Sequence, residues 1–195
     1  MTEASLPFPI EGDLEQRVAE HPDWLEGIEF GRPRHGHPEG QIKFHVAAVL
    51  DNVEKFFRDS SIRRDLRLIT LIHDTFKFRV NKGKPRCGEN HYGMIARRFA
   101  ESFINDESVL DVIELHDDAY NSWQCGNRDG RWDKAERRAT TLIDRLGDNI
   151  DLYLAFYRCD NFTEGKESNC FDWFKDFVAR NQNETSAGSQ NDNGY

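Results

Sequence analysis

Leu66-Arg67-Leu68-Ile69-Thr70-Leu71-Ile72-His73-Asp74 is an apolar run of helical length that ends in a His-Asp doublet and passes directly into a basic segment. Leu66, Ile69, Ile72, His73 and Phe76 recur at three- and four-residue steps, so the run reads as a helix with one buried side that begins close to Asp65. Adjacent helical residues project about 100° apart, so His73 and Asp74 cannot both enter a core, yet both can reach a cation set beside the helix end. The doublet is half of a metal site, and the rest of the chain has to supply the other ligands.

Upstream, Ile42, Val46, Val49, Val53 and Phe56 or Phe57 mark a second helix from about Gln41 to Phe57. His45 lies near its first turn on the core side, where it can face His73 across antiparallel helices. Residues 21–40 are dense in Gly, Pro and His (Gly27, Gly31, Pro33, His35, Gly36, His37, Pro38, Gly40), and read as a long loop without regular structure that lines a site. Residues 1–20 read as an acidic arm with one short helix near Leu14 to Ala19, its start held extended by Pro7 and Pro9.

Downstream, Lys77 to Arg98 carries seven basic residues (Lys77, Arg79, Lys82, Lys84, Arg86, Arg97, Arg98) against the single acid Glu89. Such an excess immediately after a metal half-site suits phosphate capture, with Lys77, Lys82, Lys84, Arg86 and Arg97 as the candidate contacts. A helix is expected from Glu89 to Ile104, with His91, Ile95, Phe99 and Phe103 at intervals of four, and another from Glu107 to Leu115, closed by His116 and followed by Asp117 and Asp118. After a loop at 121–132, one long helix is expected from Asp133 to Cys159. Its aromatic core side places Asp160 next to apolar neighbours, where an acid is costly without a cation. A short aromatic helix at 171–178 and a disordered, polar tail at 181–195 complete the reading, in which residues 21–180 form one domain.

The chain of 195 residues has 37% apolar and 31% charged residues and a net charge of −9. No apolar run approaches the length of a membrane span, and the acidity argues against an extended nucleic-acid surface. Met1 to Ile10 lacks the basic and apolar regions of a signal peptide, and the four cysteines show no CxxC spacing, which together point to a cytoplasmic protein with free thiols.

In chain order the inward-facing polar groups are His45, His73, Asp74, His91, His116 and Asp160. Several neutral imidazoles and two acids cannot all satisfy one another, whereas a divalent metal takes nitrogen and oxygen ligands together and compensates the acids. Such a ligand set fits manganese, iron, cobalt, nickel or magnesium, one or two ions per chain.

The ordered pattern of His45, then His73-Asp74, then the distant Asp160, together with Lys77 three residues after the doublet, resembles the HD-domain metal-dependent phosphohydrolase superfamily over residues 36–160. The resemblance implies an all-α fold, a compact multi-helix bundle with the metal between core helices, that cleaves a phosphate ester or anhydride of a nucleotide or similar phosphorylated small molecule. It makes Lys77 a phosphate contact and sets His91 and His116 beside the extra histidines of members with two metals. In such an enzyme Asp74 spans two ions, and Asp117 or Asp118 serves as base or orienting group unless the two form only a solvated helix-end pair. Two other functions fit the same fold: a phosphodiesterase or phosphatase on RNA ends, as in the similar module of some tRNA nucleotidyltransferases, and a nucleotide-sensing module without turnover.

Overall fold

The three-residue and four-residue spacing of apolar side chains is realised throughout as helix. The computed structural model describes residues 6–33, 40–163 and 168–190, the last seven of these as backbone only. It is all-α: α1 (Gly12–Ala19), α2 (Pro22–Ile28), α3 (Ile42–Phe57), α4 (Arg63–Ile72), α5 (Tyr92–Ala100), α6 (Glu107–Leu115), α7 (Asp118–Asn127), α8 (Trp132–Leu146), α9 (Ile150–Asn161) and α10 (Asn169–Gln190). No helix among the described residues is long and apolar enough to cross a membrane.

The core is one cluster. Val46, Val49 and Val53 of α3, Leu66, Ile69 and Ile72 of α4, Val109, Val112 and Ile113 of α6, Leu142 and Leu146 of α8, and Tyr153 and Phe156 of α9 are all buried in it. Helices α3, α4, α6 and α9 pack on one another around its centre. At about 1.5–3 kcal/mol for each large apolar side chain removed from water, this cluster is the main force holding the four helices together.

Several segments depart from the sequence reading, among them the helix expected over Glu89–Ile104, which runs only Tyr92–Ala100. Residues 22–28, expected as loop, are helical because Pro22 occupies the first helical position, where its missing N–H costs nothing, His21 accepts the Asp23 N–H, and Trp24 drives the helix into the core. Residues 118–127, expected largely as loop, form α7, in which Gly126 leaves room for the Trp132 ring. The single helix expected over 133–159 is two, because Gly147 turns the chain at φ +49°, a conformation open to glycine. The short aromatic helix is part of α10, which continues to Gln190 through much of the expected tail.

Residues 12–19, expected within a loose arm, are docked instead. Val18 is buried, and the buried Glu15 carboxylate takes two hydrogen bonds from the buried Arg67 guanidinium of α4, from Nε at 2.7 Å and Nη2 at 2.8 Å. Arg67 Nη2 also donates to the Pro9 carbonyl at 3.0 Å. Residues 34–39 of the loop expected to line a site, with His35 and His37, and residues 191–195 of the expected tail lie outside the described residues.

Candidate metal centre

His73 is the C-cap of α4 and His116 the C-cap of α6, so both imidazoles stand where helix carbonyls lack intrahelical partners. Each ring uses this. Nδ1 of His73 lies 2.9 Å from the Thr70 carbonyl, and Nδ1 of His116 lies 2.8 Å from the Ile113 carbonyl. A carbonyl only accepts, so in its neutral form each ring carries its proton on Nδ1 and presents a lone pair at Nε2. This is the tautomer of a histidine metal ligand, fixed by the backbone behind it.

The Nε2 atoms and the carboxylate oxygens converge. Nε2 of His73 is 3.4 Å from Nε2 of His45 on α3, 3.8 Å from Oδ2 of Asp74 and 4.0 Å from Oδ1 of Asp160 on α9. Nε2 of His45 is 2.9 Å from Asp160 Oδ1 and 3.8 Å from Asp74 Oδ2. An ion with bonds of about 2.0–2.2 Å holds its cis ligand atoms about 3 Å and its trans ligand atoms about 4 Å apart, the range of the distances among His45, His73 and Asp74 and from the two imidazoles to Asp160. His45, His73 and Asp74 form a buried cluster that can hold a metal ion.

On the far side of Asp74, Oδ1 lies 3.3 Å from Nε2 of His116, which is buried and makes no well-aligned hydrogen bond. That nitrogen is a polar atom aimed at a carboxylate oxygen with its lone pair forward, an arrangement a cation between them would satisfy. The residues present therefore fit a divalent ion at the His45, His73 and Asp74 cluster. Two helix C-termini also point at the cluster, and their partial negative charge favours a cation there.

Charge in the cluster follows the same sense. Burial alone would raise the Asp74 carboxyl, but neighbouring positive charge, first the Lys77 ammonium, holds it well below the usual carboxylate range. Burial pushes His73 down to about 3, so its ring is neutral at pH 7. Lys77 Nζ lies 2.5 Å from Asp74 Oδ2 and 4.9 Å above the Tyr92 ring; burial opposes its charge, but Asp74, Asp117 and Asp160 outweigh that and hold its pKa above the usual lysine value. One ammonium against the Asp74 and Asp160 carboxylates leaves negative charge in excess.

The remaining site residues expected from the sequence are placed unequally. Asp117 is the N-cap of α7, with Oδ1 3.9 Å from His116 Nε2 and its side chain partly open to solvent. His91 is not in the first turn of α5 but caps it, and its Nδ1 accepts the Gly93 N–H at 3.3 Å. A neutral ring that accepts at Nδ1 carries its proton on Nε2, so His91 in this pose is a hydrogen-bond donor and not a metal ligand. Arg97, expected to bind substrate, is held by Asp111 at 2.6 Å, Glu107 at 2.5 Å, Glu101 at 3.2 Å and Glu114 at 3.5 Å, which fasten α5 to α6. Lys82, Lys84 and Arg86 are exposed, and no carboxylate among the described residues pairs with them. Their loop is shaped by Asn90, whose amide donates to the carbonyls of Asn81 and Pro85.

Two contributors escaped the sequence reading. Tyr92 packs on Lys77 and sets its ring edge-on to His116, 5.3 Å between centroids. Phe156 floors the site under His73 at 5.1 Å. Phe156 was legible as core; nothing in the sequence distinguishes Tyr92 from any other aromatic at a helix start. No family model, curated protein or solved structure matches this chain.

Proposed function

We propose that the chain is a metal-dependent phosphohydrolase of the HD-domain type, acting on a phosphate ester or anhydride of a nucleotide or similar phosphorylated small molecule. The observation that carries this reading is the convergence of three imidazoles and two carboxylates from four elements, with the Nε2 lone pairs of His73 and His116 set inward by backbone carbonyls behind them. A fold held by apolar burial alone has no need of such a cluster, and a binder of neutral ligands would not keep its charge.

His45, His73, Asp74 and Asp160 would hold the first divalent ion, and Asp74 Oδ1 with His116 Nε2 would contribute to a second. Manganese, iron, cobalt and nickel suit mixed nitrogen and oxygen ligands, and magnesium fits where few histidines bind. A divalent ion so held supplies Lewis acidity, which activates water and polarises a phosphate oxygen. Around it, the chain's own groups divide the work. Asp117, 3.9 Å from His116 Nε2 and partly open to solvent, accepts a proton from the attacking water at a carboxylate oxygen. His91 Nε2–H donates to a phosphate oxygen, and Lys77 offsets charge that develops on the phosphoryl group. Lys82, Lys84 and Arg86 raise the local concentration of anionic substrate. Arg97 has no part in this, because its guanidinium is already shared among carboxylates.

The test is metal analysis of the purified native protein, followed by assay of nucleoside mono-, di- and triphosphates and cyclic phosphodiesters with manganese, nickel, cobalt or magnesium supplied. Hydrolysis of one class that disappears in Asp74→Ala supports the reading. Protein that holds no transition metal and cleaves none of the panel would sink it.

A further inference from the structure

One oxygen serves two masters in this site. Asp74 Oδ2 is the carboxylate atom that faces Nε2 of both His45 and His73, and it is also the atom on which Lys77 Nζ sits at 2.5 Å. An ion bonded to Oδ2 would stand within about 4 Å of the ammonium, and two cations that close in a largely buried site repel strongly. The oxygen has lone pairs for both, but the local field does not favour both.

Lys77 has somewhere to go. It follows Asp74 by three residues in the short 3-10 turn Lys77–Arg79, outside α4, and its side chain keeps partial access to solvent. Its charge already interacts with Asp117 and Asp160 as well as Asp74, and the Tyr92 ring lies beneath the ammonium as a surface over which it can pivot. Asp117 lies 3.9 Å from His116 Nε2, and its side chain is partly open to solvent.

We infer that Lys77 is an exchangeable internal cation: in the metal-free protein it neutralises Asp74 Oδ2, and on metal binding it is driven off that oxygen toward Asp117 and the mouth of the site, where it can meet a phosphate. This deepens the phosphohydrolase reading and rests on it only for the identity of what Lys77 meets; the exchange itself requires only that a divalent ion bind. Two consequences follow by linkage. The lysine weakens metal binding, and the metal exposes the lysine, with one coupling free energy governing both. The device keeps a buried, acid-rich cluster tolerable before loading and presents the ammonium only when the site can use it.

The experiment uses the full chain, stripped of metal, with Mn2+ alone as probe. Calorimetric titration should give tighter binding in Lys77→Met than in the wild type, by about tenfold or more, because a competing unit charge a few ångströms from the ion has been removed. Lys77→Arg, which keeps a cation, should bind no tighter than wild type. In the wild type, amine acetylation read by peptide mass spectrometry should modify Lys77 severalfold faster with Mn2+ than without, a measurement that does not depend on any variant folding. Equal or weaker Mn2+ binding by Lys77→Met, or Lys77 acetylation unchanged by metal, overturns the exchange and leaves the metal centre standing. Absence of Mn2+ binding by wild type and variant alike overturns both.

Discussion

Replacing Gly27 with alanine should destabilise the protein and loosen its grip on metal, although Gly→Ala inside a helix ordinarily does the opposite. In an unobstructed helix the change gains about 0.5–1 kcal/mol, since alanine surrenders less backbone freedom on folding. Here an added Cβ would lie 2.0 Å from the Thr75 carbonyl oxygen, 2.8 Å from Thr75 Cγ2 and 3.0 Å from Phe78 Cε1. The obstacle is backbone, so α2 and the turn after the doublet have to part by roughly 1 Å, an overpacking cost at or beyond the upper end of about 1–3 kcal/mol. The clash outweighs the propensity gain, for a net loss of about 2 kcal/mol or more and a fall in Tm of about 2–4 °C per kcal/mol for a chain of this size. The displaced carbonyl belongs to the residue after Asp74, and the same segment is pinned by the Trp24 indole, whose Nε1 donates to the Leu71 carbonyl at 2.7 Å. Metal affinity should therefore drop about tenfold or more, as when outer groups that orient ligands are lost. Urea unfolding followed by far-UV circular dichroism, with the slope unchanged, and Mn2+ calorimetry measure the two effects. Gly83→Ala is the control: an added Cβ there meets only Asn81 Oδ1, at 3.3 Å, so stability and metal affinity should change little. A Gly27→Ala protein as stable as wild type, or one whose metal affinity matches that of Gly83→Ala, would refute the reasoning.

Alanine at His45, His73 or Asp74 should abolish Mn2+ binding to the first position, whereas His91→Ala should retain it within a fewfold and lose turnover, which calorimetry and a phosphatase assay separate. Metal-free protein should gain stability between pH 4 and 6.5. His73 has a folded pKa of about 3 against 6.5 unfolded, so over that interval the unfolded state binds the additional proton, His91 acts in the same direction, and each group adds at most about 1.4 kcal/mol per pH unit. Urea midpoints across that range check it, and a flat profile would count against a neutral buried His73. Arg67→Ala should cost about 3–5 kcal/mol by stranding the buried Glu15 carboxylate, with α1 becoming the first segment to exchange its amide protons. Under native conditions a maleimide should label exposed Cys87 and spare Cys159, which is buried and whose thiol burial pushes up to about 12. Rapid labelling of Cys159 would show that the α9 face opens more readily than its packing implies.

What the sequence made legible was periodicity, and where it failed a long-range contact had overridden a local signal. Helix α6 was readable over Glu107–Leu115 because Val109, Val112 and Ile113 repeat on one face and Asp106 caps the first turn. Helix α2 was hidden by Pro22 and Gly27, which read as breakers in isolation. Both are required by tertiary structure, Pro22 as a helix start and Gly27 as the only residue that fits against Thr75. The join between α8 and α9 failed in the reverse sense: Leu142, Leu146, Ile150 and Tyr153 keep helical spacing across Gly147 because both helices bury into the same core, so apolar rhythm concealed a turn.

At the site, the sequence could name the residue types and their order but not the direction of each lone pair. His91 and His116 looked alike, each on an apolar pattern beside a helix boundary. Their fates divide on which end of a helix they occupy. At a C-terminus the free backbone groups are carbonyls, which take the Nδ1 proton and leave Nε2 as a ligand; at an N-terminus they are N–H groups, which occupy the Nδ1 lone pair and leave Nε2 as a donor. A shift of one residue in where α5 begins therefore converts a histidine from metal ligand to hydrogen-bond donor. Helix boundaries are the part of a sequence reading least fixed by periodicity. That is why the ligand set was over-assigned at His91, and why the assignment of His73 and His116, both at helix C-termini, stands on firmer physical ground than the spacing that first suggested them.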